Sequence, residues 1–274
     1  MNTGLFAIGV RKRLRHRKVD IMKENQHTVP EFYLKYFAIN GSGLIWRFDV
    51  DRNEIDPRKR SIRKETAKKF FYDLDNYDMT LDDLEWFGEF FEFSKDSMKK
   101  IYNSKQLLED FLERVETKMG KRHEDLAKHL NGEIDCDTQT FRCQYAIFLV
   151  LQSLRTESMR NFFSMMNATE KRSGLPSEIM SDKERYLGLL QHMPTIFRKA
   201  KNLVENYRWE IIIMDSGLTF LTSDNPAAEA LHQPELIHFP ITPKYCWRLA
   251  KLGSIYEDRG MRRPTRMAYL LPDR

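Results

Sequence analysis

Gln26-His27-Thr28-Val29-Pro30-Glu31-Phe32-Tyr33-Leu34-Lys35-Tyr36-Phe37-Ala38 is the stretch around which the rest of the chain is organised. Pro30 fixes its own φ and disfavours helix at Val29, so His27 lies in an extended lead-in. Phe32, Tyr33, Tyr36 and Phe37 recur at helical spacing and predict a short helix pinned to a core. His27 then stands just outside a rigid helix start. Its ring either satisfies the core and caps the helix, or points at a ligand, and the residues alone leave both readings open.

The 274 residues suffice for one large domain or two small ones with a real core. A hydrophobic share of 41% beside 31% charged is ordinary for a globular chain and excludes wholesale disorder. No run of about eighteen apolar residues occurs, so neither a membrane helix nor a membrane partner is expected. Cys136, Cys143 and Cys246 are odd in number and lack metal-ligand spacing. That argues against a disulfide scaffold and for a reducing, cytoplasmic compartment. The net charge of +5 allows a phosphate-bearing partner without demanding one. Much of the excess is local, with six cations in eight residues from Arg11 to Lys18. The mildly apolar Met1 to Val10 precedes those charges, the reverse of a secretory signal, so residues 1–24 read as a basic, poorly ordered extension outside the fold.

Asn40-Gly41-Ser42-Gly43 is a turn signal, and Leu44 to Val50 alternate as a strand. Lys59-Arg60-Ser61-Ile62-Arg63-Lys64 is a second basic cluster, either a solvated face or a phosphate-binding patch. Thr80 caps a helix that continues through Leu84, Phe87, Phe91 and Met98. Glu85, Glu89 and Glu92 line one side of it, as solubilising charges or as ligands for a divalent cation or a general base. Residues 105–131 predict one or two amphipathic helices, and Thr138 to Met166 predicts an apolar helix at the centre of a helical layer. The polar groups at its end, Gln152, Arg155, Thr156 and Arg160, require either ion-pair partners or an anion. Lys171 to Glu178 reads as a loop, and Pro194 breaks the next helix, Asp182 to Val204, near His192. Arg208 to Asp215 and Leu218 to Thr222 predict a hairpin turned by Ser216-Gly217, running into Ser223-Asp224-Asn225-Pro226. Ile237 to Pro243 and Tyr245 to Ala250 complete a small antiparallel set. The fold class is therefore α+β: a mostly helical body over 75–206, and a small antiparallel sheet built from N-terminal strands near 44–50 and C-terminal strands within 208–250. That arrangement brings His27 to Asp224 in one interleaved domain, 25–274.

His27-Thr28-Val29-Pro30-Glu31-Phe32-Tyr33-Leu34, Phe71-Tyr72, Gln152-Ser153-Leu154-Arg155-Thr156, Phe220 to Pro226 and Phe239-Pro240-Ile241-Thr242-Pro243 occur in that order. Together they resemble the motifs of a bacterial family, domain of unknown function four-two-three-eight, over roughly residues 25 to 255. The chain departs from the pattern where Glu157 follows Thr156, a place where proline is common. The resemblance implies an effector-like protein of toxin or phage-defence type and carries no activity of its own.

No Gly-rich phosphate loop, nucleophile elbow, HExxH or CxxC occurs, which argues against P-loop NTPases, α/β-hydrolases and the common zinc classes. The remaining polar residues suit work on a phosphodiester. His27 is the candidate acid or base, with Glu92 and Asp224 as base or metal ligands and Arg155 as a catalytic phosphate clamp. Arg160, Gln152, Asn225 and Tyr33 are candidate substrate-binding residues, and Glu85, Glu92 and Asp224 are the candidate Mg²⁺ ligands. The expectation is a nuclease-like effector on RNA or DNA, with Mg²⁺ as candidate cofactor and a protein partner or antitoxin beside the nucleic acid. The alternative is a non-catalytic nucleotide- or partner-binding module in which the His/Glu/Arg/Asp cluster is structural glue.

Overall fold

A computed structural model describes residues 22–50, 52–73, 79–134, 138–172, 182–214, 218–227, 230, 232–257 and 266–269. Most of the basic extension, part of the predicted 171–178 loop and the Ser216-Gly217 turn lie outside the described residues.

The N-terminal part is a set of short antiparallel ladders. β1 (Asn25–His27) is the extended lead-in, and Pro30 ends it before α1 (Glu31–Leu34). A 3₁₀ turn over Lys35–Phe37 continues α1 and carries the aromatic stripe. β2 (Leu44–Ile45), β3 (Phe48–Asp49), β4 (Glu54–Ile55) and β5 (Arg60–Ser61) follow, and then α2 (Ile62–Glu65). β6 (Ala67–Lys69) returns to pair with β1, placing His27 opposite Ala67. The predicted strand over 44–50 is broken at Trp46-Arg47: Ile45 pairs with Arg60, whereas Phe48 pairs with Ile55.

α3 (Leu81–Phe90) begins at Thr80, whose hydroxyl accepts from the Asp83 backbone in a capping box. The single helix predicted here is two. Glu92 takes a left-handed φ of 57°, and the Phe93 N–H bonds the Gly88 carbonyl at 2.9 Å. This is the Schellman turn that ends a helix, and α4 (Lys95–Tyr102) starts afresh from Ser94. α5 (Leu107–Leu130) is one helix, and its buried stripe runs through Leu108, Phe111, Leu112, Val115 and Met119.

α6 (Thr138–Leu154) is buried on all sides from Gln144 to Leu154, including Tyr145, Leu151 and Leu154. It stops twelve residues short of the predicted Met166, because Arg155 and Thr156 form a bend and the Thr156 hydroxyl accepts from Met159 N at 3.3 Å. That hydroxyl caps α7 (Glu157–Arg172). α8 (Asp182–Gln191) and α9 (Met193–Glu205) meet at His192, with Pro194 in the first turn of α9, as the proline predicts.

β7 (Tyr207–Ile213), β8 (Leu236–Pro240), β9 (Tyr245–Lys251) and β10 (Arg266–Tyr269) form an antiparallel sheet in the order β10-β7-β9-β8. β9 and β10 occupy both edges of β7, so residues 218–222 have no edge to return on. They run past the β8–β9 turn instead, where Phe220 N bonds Pro243 O at 2.8 Å. Phe148 of α6 meets Phe239 of β8, and Tyr145 meets Trp247 of β9, so helices and sheet share one core. The fold is α+β, mostly helical, with small antiparallel sheets from N-terminal and C-terminal strands. The two sets of strands lie in separate sheets joined by side chains.

Candidate functional site

The segment from Gln26 to Leu34 is the point where distant parts of the chain are tied together. Arg155 leaves the end of α6 and is 2% exposed. Its Nη2 donates to the His27 carbonyl at 2.6 Å and pairs with Glu116 Oε1 at 2.6 Å. Its Nε donates to Tyr72 Oη at 3.1 Å. The Tyr72 hydroxyl in turn lies 3.1 Å from His27 O and 3.2 Å from Arg155 O. Burial disfavours the guanidinium charge, but Tyr72 and Glu116 outweigh it and raise the pKa. Gln152 Nε2 donates to Thr28 O at 2.8 Å, one turn before Arg155. Gln26 Oε1 accepts from Tyr72 N at 2.6 Å. A backbone bend that β1 cannot stabilise alone is thus clamped by side chains from α5, α6 and residue 72.

The same segment reaches the C-terminal sheet through Tyr33. Its hydroxyl stands 2.7 Å from Thr222 Oγ1 and donates to Pro240 O at 2.9 Å. Its ring stacks on Phe239 with centroids 5.2 Å apart. Burial raises the Tyr33 pKa far above the ordinary phenol value, so the hydroxyl stays protonated; its single proton goes to the Pro240 carbonyl and it accepts from the Thr222 hydroxyl. His123 lies beside it, wholly buried. Nε2 lies 2.7 Å from Ile241 O and Nδ1 lies 2.8 Å from Tyr145 Oη. The carbonyl requires a proton on Nε2, so Nδ1 accepts from the tyrosine. Burial pushes the His123 pKa down to about 4.

The His27 ring itself is half-buried. Nδ1 lies 3.4 Å from Thr66 Oγ1, and Nε2 has no hydrogen-bond partner among the described residues. Burial lowers its pKa below the ordinary histidine value, against the pull of the Glu116 and Glu31 carboxylates and with the help of Arg155 and Arg63.

A family model described as Protein of unknown function (DUF4238) matches residues 25–254. The chain belongs to that family. No curated protein and no solved structure matches the chain. The DUF4238 match opens at β1 and closes just after β9, so it takes in both ends of the Tyr33 bridge.

The fold gathers some of the sequence-predicted residues of this DUF4238 protein and scatters others. His27, Gln152, Arg155 and Tyr33 meet at the clamped segment. Arg160 lies nearby over the Phe71 ring at 5.1 Å, half-buried. Glu92 is bound to Lys118 and lies 3.5 Å from Arg122, and Glu85 pairs with Lys95 at 3.2 Å. Asp224 is exposed and is not among the charges acting on His27. Its neighbour Asn225 has a buried Oδ1 with no hydrogen-bond partner among the described residues. Among the described residues no group of His, Cys, Asp or Glu is placed to hold a metal ion, so Glu85, Glu92 and Asp224 do not form the donor set expected for Mg²⁺.

Sequence reading missed Glu109, Glu116 and His123, although a signal was present. They recur every seven residues on α5, and two turns of helix return each to the same stripe. A polar residue at each step along an otherwise apolar stripe marks a buried network. Glu109 is the first of them, and burial pushes its carboxyl up to about 7 despite the opposing Arg155 charge.

Proposed function

We propose that this DUF4238 chain is a nuclease-like effector in which His27 is the reacting base and the surrounding polar hub holds it in place. The observation that supports this reading is the state of the His27 imidazole. Arg155, Gln26 and Tyr72 are engaged inside the protein, whereas the His27 ring is half-buried with Nε2 unpartnered among the described residues. Its lowered pKa keeps it neutral at neutral pH, the form that accepts a proton. Nε2 takes the proton from a water or a ribose 2′-hydroxyl as that oxygen attacks phosphorus, and the leaving oxygen takes a proton from solvent. Arg63, exposed and 3.8 Å from Glu31, is the cation available to the phosphate. Arg155 is then a positioning residue that acts through the His27 carbonyl. This role suits a bacterial cytoplasmic toxin or phage-defence protein, with an antitoxin as its protein partner.

The test is to incubate the wild-type chain with single-stranded RNA, single-stranded DNA and duplexes, with Mg²⁺ and with a chelator. Cleavage that already rises with pH below the ordinary histidine pKa, and persists in chelator, supports His27 as the base. Cleavage abolished by chelator assigns the chemistry to a metal, and no cleavage of any substrate contradicts the reading.

A second reading is a non-catalytic nucleotide- or partner-binding module. The burial of Arg155 favours it, because its contacts are internal and leave no exposed face for a phosphate. In that reading the wild type binds nucleotides or a partner without turnover.

A further inference from the structure

Trp46, Phe48 and Ile55 are 52%, 52% and 62% exposed on the small ladders of β2 to β5. Phe48 and Ile55 are direct cross-strand partners, and Trp46 lies two residues before Phe48, at the break between the two ladders. Arg47, between Trp46 and Phe48, pairs with Glu65 at 3.0 Å. An exposed group of large apolar side chains at this density marks a binding surface.

Its charge says what kind. Residues 44–64 carry seven cations against four acids. Lys59 Nζ stands 5.6 Å from the Trp46 ring centroid, and neither Lys59 nor Lys64 has a carboxylate partner among the described residues. Exposed aromatic rings beside ammonium groups not neutralised by a carboxylate suit a chain whose bases are available to stack and whose phosphates need neutralising. A duplex keeps its bases stacked inside and cannot use the rings. An apolar protein partner leaves the cations unmatched.

We propose that the β2–β5 ladder is a docking face for single-stranded nucleic acid, with Trp46 and Phe48 as stacking platforms and Lys59 as a phosphate contact. β5 runs directly into α2, whose Arg63 is among the charges acting on His27, so a docked strand leads towards that ring. This deepens the nuclease reading by naming a single-stranded substrate, while strand binding is measured separately from cleavage.

The experiment is fluorescence anisotropy of the full chain with labelled oligo-U, oligo-dT and a duplex of about twelve nucleotides, within the usual site size. Wild type is compared with Trp46→Ala/Phe48→Ala and with Lys59→Ala, and each variant's thermal melt is recorded. Arg11 to Lys18 attract nucleic acid by charge alone, so the comparison is repeated at raised salt, where that component fades. The expected result is single-strand binding weakened about tenfold or more in the double variant, a shallower salt dependence in Lys59→Ala, and melts like the wild type. The proposal is overturned by no single-strand binding in the wild type, by equal binding in wild type and double variant, or by preference for duplex. It is also overturned if the double variant converts a dimer to a monomer, which assigns the face to a second copy of the chain.

Discussion

Arg155 Nη2 lies 2.6 Å from the carbonyl oxygen of His27, across 128 positions of sequence. The bond divides His27 into two parts with separate duties. Its backbone belongs to the hub, tied to Arg155 and Tyr72, while its ring stands outside that network with Thr66 as its one hydrogen-bond neighbour among the described residues.

Arg155 carries the fold, so its loss is costly. Arg155→Ala leaves Glu116 without its guanidinium and the His27 carbonyl with Tyr72 as its remaining donor, and is expected to destabilise by about 3–5 kcal/mol. Arg155→Lys is expected to recover little, because a single ammonium cannot reproduce a planar fork that reaches Tyr72, His27 and Glu116 together. Urea midpoints of the three proteins check this.

Two buried groups impose opposite pH dependences. His123 has a folded pKa of about 4, below its ordinary value of 6.5. The unfolded chain binds the extra proton between those values, so stability from this group is present above pH 6.5 and is lost as pH falls towards 4, by about 3 kcal/mol. His123→Gln removes that loss. Relative to wild type it is expected to fare better at pH 4.5 than at pH 7.5, read from paired denaturation curves.

Glu109 runs the other way. Its folded pKa of about 7 lies above the ordinary 4.5, so the folded chain holds the extra proton and stability falls as pH rises between those values, by about 3 kcal/mol. Glu109→Gln is expected to melt higher than wild type at pH 8, with the difference shrinking at pH 5. An equal shift at both pH values contradicts the assignment.

Glu92 holds the C′ position of α3 at positive φ, where glycine carries no penalty. Its ion pairs are exposed and contribute little. Glu92→Gly is expected to leave stability within about 1 kcal/mol of wild type and cleavage unchanged. A loss of cleavage alone returns Glu92 to the site.

The parts legible in the sequence were those with a local cause. Pro30 fixed the lead-in of His27, Thr80 announced the N-cap of α3, and Pro194 marked the α8–α9 break. The apolar run from Phe141 to Leu154 declared a central helix. The errors arose where a tertiary contact decides the local structure. Arg155 and Thr156 end α6 because the guanidinium is claimed by the His27 carbonyl, Tyr72 and Glu116, none of them near in sequence. Residues 218–222 fail to form a hairpin because β10, beyond the predicted sheet, takes the edge of β7. Glu85, Glu89 and Glu92 look convergent on a helical wheel, but Glu92 has already left the helix. The buried Glu210–Arg248 pair across β7 and β9 was also invisible, since it depends on strand register.

The most direct test of the account is His27→Gln, measured for denaturant unfolding and for cleavage of single-stranded RNA in the same preparation. Glutamine keeps the carbonyl that Arg155 and Tyr72 hold and removes the base. The account predicts an unfolding midpoint equivalent to within about 0.5 kcal/mol of wild type and cleavage lost by about a hundredfold or more. Cleavage retained, or stability collapsing with the ring, contradicts it and makes His27 a structural residue throughout.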